Sequence, residues 1–248
     1  MFGRSLTIAR IKGIAIEVHP SWLLIFAVLS WSLAEGVFPN QYEDWSTTTY
    51  WVLGIIAALL LFVTVLVHEL AHAVVAIRRG LPVPKITLFI FGGVSHMARQ
   101  PRTAGEEFFI AGAGPLTSLV LAVLTGLAAW LMAGVIDQVS AVLAYLALVN
   151  FALAVFNILP GFPLDGGRVF RSIAWKKTGS FRKATRVASS VGAAFGIGLM
   201  VVGVGFDDLR PRDRRHLVRL HWLTLTGAAR GESDNLKLGD HPGPAHCA

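Results

Sequence analysis

Cysteine is nearly absent: the 248-residue chain has one, Cys247, beside its last residue. That excludes an intrachain disulfide and any thiolate cluster, so a metal in this chain would rest on histidine and carboxylate. Charge is scarce too. Asp, Glu, Lys and Arg make up 15% of the residues, against about 25% in soluble domains. With 54% hydrophobic residues and a mean hydropathy of +0.61, the composition excludes a soluble protein and marks an integral membrane protein. The net charge of +7 does not point to nucleic acid, because the positive residues are segregated into loops. Segments 39–50 and 135–138 hold no Lys or Arg, whereas 1–20, 78–107 and 160–186 hold 3, 5 and 7. The positive-inside rule then predicts a multi-pass protein of the cell membrane with its N-terminus in the cytoplasm.

The apolar runs predict about five transmembrane helices, near 21–38, 51–77, 108–134, 139–159 and 187–206. The first has the length of a signal peptide but lacks a good small-x-small cleavage site, so it reads as a retained span. Residues 1–20 alternate poorly and read as a short strand or an interfacial segment. His19, just before Pro20 and Ser21, reads as a residue at the start of a helix. Between the second and third spans, Pro82, Pro84, Gly92 and Gly93 argue against a further span, and ITLFIF followed by GGV predicts a short re-entrant β-hairpin. The expected architecture is an α-helical polytopic membrane protein carrying that hairpin. Residues 1–206 form its membrane domain, and 207–248 form a basic tail.

What stands out inside the second span is His68-Glu69-Leu70-Ala71-His72. Ionisable groups in such a span are expensive unless paired, and are functional candidates by default. On a helix, positions i and i+4 share a face, so His68 and His72 can hold one Zn²⁺ while Glu69, on the flank, takes a proton from water. Glu69 lies eight residues from Ile77, roughly 12 Å along the axis at 1.5 Å per residue. The site is thus within the bilayer and nearer the Arg78 end, the cytoplasmic side by the charge rule.

A catalytic zinc takes three protein ligands and leaves a position open. Glu106, Glu107 and Asp165 are the carboxylates on the near side, and His96 is a further candidate better read as a loop histidine. Asp165 lies in PLDGG, a turn-rich segment expected to be unwound after the fourth span. By itself an Asp-Gly turn needs no metal; beside the histidine pair, Asp165 becomes the favoured third ligand. Pro115, in GAGP (112–115), is expected to kink the third span.

The combination of HELAH (68–72), FGG (91–93), GAGP (112–115) and NILPGFPLDGG (157–167) resembles the site-2 proteases, intramembrane zinc metalloproteases. The resemblance covers roughly residues 1–205. It implies one Zn²⁺ per chain on His68, His72 and Asp165, Glu69 as general base, and Asn157 helping to stabilise the oxyanion. HPSW (19–22) is similar to members that end in paired CBS domains, which about 40 residues of tail cannot contain. Many members have Asn shortly after GPL, where this chain has Thr117 and Ser118. The tail also departs from the pattern, and a truncated or frame-altered C-terminus, or a fifth segment that fails to cross, is the expectation there. The implied partners are the lipid bilayer and a membrane-anchored protein substrate, such as an anti-sigma factor, cut in regulated intramembrane proteolysis. No nucleic acid is expected, and the oligomeric state is open. A metal transporter and a catalytically inactive scaffold are the competing classes.

Overall fold

The first turn of the chain explains why its N-terminus alternates poorly. In the computed structural model, which describes residues 5–161 and 164–209, strands β1 (Leu6–Ile11) and β2 (Ile14–Val18) fold back on each other. Lys12 and Gly13 form the turn, with φ of 49° and 86°. Positive φ at both central residues suits a tight hairpin, and it breaks the alternation in the middle. The expected β-hairpin follows later as β3 (Lys85–Phe89) and β4 (Gly92–His96). It does not stand alone. β2 pairs in parallel with β3, Ile16 opposite Ile86, giving one four-stranded sheet of order β1-β2-β3-β4.

Among the described residues, four helical segments are long and apolar enough to cross a membrane: Ser21–Gln41, Thr47–Arg78, Ala104–Met132 and Asp137–Ile158. They match the first four expected spans to within a few residues at each end. The first comprises α1 (Ser21–Ser32), a π-helical turn (Leu33–Val37) and α2 (Phe38–Gln41). The second is α3 (Thr47–Arg78), started by Ser46, whose hydroxyl accepts from the Thr49 N–H at 3.2 Å. The third is α4 (Ala104–Met132), capped in the same way by Thr103. Pro115 lies inside α4 without ending it. The fourth is α5 (Asp137–Ile158).

Two further helices follow, α6 (Asp165–Thr178) and α7 (Phe181–Leu209). The expected fifth span falls within α7. The described residues up to Gly196 form one compact unit; beyond it, 197–209 are described, as helix. From residue 210 the basic tail lies outside the described residues.

The first unit has two apolar cores. In one, Leu33 and Phe38 pack with Ala57, Ala58 and Leu61 of α3 and with Val142 and Leu146 of α5. In the other, Ile14, Ile16 and Ile86 from the sheet rest on Ala73 and Ala76 of α3 and on Ile110 of α4. The small alanines let the sheet lie close against α3, just beyond the motif histidines.

Candidate metal centre

His68 and His72 are buried, one helical turn apart on α3. Their Nε2 atoms are 3.2 Å apart. Asp165 Oδ2 lies 3.2 Å from the first and 3.0 Å from the second. The aspartate does not sit in an unwound turn, as the sequence suggested, but is the first residue of α6. The chain breaks after Ile158 and restarts as helix, and Gly166 makes the restart possible: a Cβ there would overlap the carbonyls of Ile158 and Leu159. The helix start therefore presses against the end of α5 and points its first carboxylate at α3.

Each imidazole is fixed by its other nitrogen. His72 Nδ1 donates to the Ile110 carbonyl at 2.6 Å, which leaves the Nε2 lone pair facing inward. His68 Nδ1 is 2.8 Å from the hydroxyl of Ser118 on α4. Such outer contacts orient metal-binding histidines. Two inward lone pairs and a carboxylate oxygen at a mutual 3.0–3.2 Å repel unless a cation lies between them. Ligand atoms about 2.0–2.1 Å from a tetrahedral ion are roughly 3.3 Å from one another, so the triangle fits one zinc-sized ion with little adjustment. These three residues are the one such donor cluster among the described residues.

Two glycines make room for the site. A Cβ on Gly114 would lie 2.5 Å from His68 Nε2 and closer still to His72 Nε2. The GAGP segment thus lets α4 pass directly against the inward-facing Nε2 edges of the rings. A Cβ on Gly93 would lie 2.5 Å from Glu69 Cγ, so β4 presses on the glutamate in the same manner. Ser95 of β4 donates to Glu69 Oε2 at 2.8 Å.

A cavity of about 430 Å³ opens over the triangle, lined by Glu69, Gly93, Ser95, Asn157 and Arg168 among others. Asn157 faces this cavity, with its amide donating to the Leu153 carbonyl at 3.0 Å. The other sequence candidates are elsewhere. His96 is exposed, with Nε2 3.2 Å from Thr87 Oγ1. The Glu106 carboxylate accepts from the Arg102 N–H at 2.7 Å. Glu107 is fully buried and paired with Arg171 of α6. His19 contacts Ser21 at the start of α1, at 2.7 Å, as its position implied. Sequence reasoning missed Ser95 and Ser118; the departure at Thr117-Ser118 was the one signal pointing to the second.

Comparison with known proteins follows this geometry. The family model described as Peptidase family M50 matches residues 56–137 and 131–199. A candidate zinc metalloprotease of Synechocystis is 37% identical over 226 residues, 90% of this chain and 59% of the relative. A candidate zinc metalloprotease of Mycobacterium tuberculosis is 40% identical over 202 residues, 81% of this chain and 51% of the relative. This chain therefore spans between half and three fifths of the length of those relatives. The solved site-2 protease of Methanocaldococcus jannaschii is 29% identical, with a TM-score of 0.53, over 81% of this chain and 85% of that one.

Proposed function

The chain belongs to peptidase family M50, and from that premise we propose that it is a zinc-dependent endopeptidase. It hydrolyses peptide bonds within or near transmembrane segments of membrane-anchored proteins. The observation that carries this reading is the convergence of His68, His72 and Asp165 beside Glu69 in a cavity between apolar helices.

His68, His72 and Asp165 would hold one ion per chain. Zinc, when bound, supplies Lewis acidity that activates water and polarises the scissile carbonyl. Glu69 takes the proton of the attacking water and returns it to the leaving amine. Ser95 holds the Glu69 carboxylate in place for both transfers. The Asn157 side chain, once it leaves the Leu153 carbonyl, is within the same cavity to donate to the developing oxyanion. The low-dielectric walls strengthen each of these contacts.

The substrate segment must unwind before attack, since a helix keeps its carbonyls hydrogen-bonded. The outer edge of β4 lies along the cavity and is unpaired within the sheet, so an unwound segment can add to it as a strand. Single-pass regulators such as anti-sigma factors fit this class. The charge distribution puts the N-terminus and the site on the cytoplasmic side, where water reaches the cavity.

The test is cleavage of a membrane-anchored reporter by purified, reconstituted protein. Glu69→Gln should keep its zinc and lose cleavage. Turnover retained in that variant would reject Glu69 as the base, and with it the proposed chemistry.

A further inference from the structure

The peptidase reading leaves one face of α4 unused. Phe108 and Phe109 are both exposed, their rings edge to face at 5.6 Å. A groove flanks them on each side. One, of about 880 Å³, runs between α3 and α4 past Val75, Gly112, Ala113 and Leu116, with Arg78 and Arg79 at its end. The other, of about 690 Å³, runs between α4 and α6 past Gly105 and Ile173, with Lys176 and Lys177. The Arg79 guanidinium lies 4.3 Å over the Phe109 ring.

Nothing lies within 4 Å of where a Gly112 Cβ would be. Among the described residues, no side chain or neighbouring helix fills the space beside Gly112. Along the first groove, from Phe108 to Leu116, the α4 axis rises about 12 Å, most of the hydrocarbon depth of one leaflet, half of roughly 30 Å. Among the described residues, none of the four cations takes part in an ion pair. The nearby carboxylates are committed elsewhere, Glu106 to the Arg102 backbone and Glu107 to Arg171.

We infer that this surface holds one anionic glycerophospholipid. Its phosphate is bracketed by Arg78–Arg79 and Lys176–Lys177, and its two acyl chains lie in the grooves on either side of Phe108–Phe109. A zwitterionic lipid would fill the same grooves, but the cation of its own headgroup cancels its phosphate, so it brings no net negative charge to the four cations. The lipid touches α3, α4 and α6 together. Those are the helices that bring His68 and His72, the Ile110 carbonyl, and Asp165 to one point, so its binding tightens the frame of the metal centre.

The experiment is lipid retention by the purified, delipidated full chain, counted by native mass spectrometry with phosphatidylglycerol against phosphatidylcholine of the same acyl chains. One phosphatidylglycerol should be retained, in clear preference to phosphatidylcholine. Each cation replaced, as in Arg78→Gln or Lys176→Gln, should weaken retention about five-fold. Gly112→Leu, which alters no charge and fills the first groove, should also lower it. Equal retention of the two lipids would overturn the inference. So would a Gly112→Leu protein that keeps phosphatidylglycerol as well as the parent, because attraction to a charged surface would then be the whole effect.

Discussion

The hydroxyl of Ser95 on β4 donates to the carboxylate of Glu69 on α3 at 2.8 Å, and also lies 3.1 Å from the Glu69 backbone carbonyl. The sheet therefore holds the side chain proposed to move the proton, and the same strand offers its open edge to the cavity. Ser95→Ala should lower kcat about ten-fold, the loss of one hydrogen bond to a charged group. Bound zinc should stay unchanged and Ser95→Thr should restore part of the rate. The measurement is reporter cleavage alongside metal analysis.

Gly114 separates α4 from both imidazoles. Gly114→Ala puts a methyl group where the two Nε2 atoms are, so zinc should be lost or held at least ten-fold more weakly, as for disturbed ligand orientation. Gly112→Ala, two residues earlier with open space around it, is the control. Chelator competition on both proteins checks this, and equal affinity would contradict the packing described.

Ser118 is the partner of His68 Nδ1. Ser118→Ala should cost about 10–100-fold in zinc affinity, while Ser118→Asn should retain most of it, because an amide oxygen can accept from the same ring nitrogen. Zinc titration against a competing chromophoric chelator reads both.

Asp165→Asn keeps the shape of the side chain and removes its charge. Zinc retention through purification should fall sharply, leaving two neutral rings as the remaining donors of the triangle. Unchanged metal content would remove Asp165 from the ligand set.

Arg171 and Glu107 join α6 to α4 below the site, with Glu107 fully buried. Arg171→Ala strands that carboxylate, and should lower stability by about 3–5 kcal/mol. The pair Arg171→Met with Glu107→Leu should recover much of the loss, as apolar replacement of a buried ion pair often does. Thermal unfolding in detergent compares the three proteins.

The metal triangle was partly legible because its first two corners obey a local rule. The four-residue spacing of His68 and His72 puts them on one helix face wherever the helix goes, and the apolar run around them sets the helix. The four long spans were legible for the same reason: every backbone group must be satisfied within its own helix in lipid, so length and hydropathy suffice. The hairpin 85–96 could be read from its glycines, whereas the N-terminal hairpin was obscured by its own turn at Lys12–Gly13. Nor did any periodicity announce that β2 would pair with β3 across 66 intervening residues of sequence.

That four long helices cross a membrane, and that His68 and His72 share one helix face with Glu69 on its flank, were determined by the sequence itself, through spacing and apolar composition. That Asp165 opens a helix, that Gly114 lets α4 pass against the Nε2 edges of both rings, and that Ser95 and Ser118 are the partners of Glu69 and His68 were decided by tertiary structure. Those contacts join residues from 26 to 97 positions apart. Serine, glycine and aspartate carry no periodic signature, and what they do depends on which distant backbone the packing brings within about 3 Å.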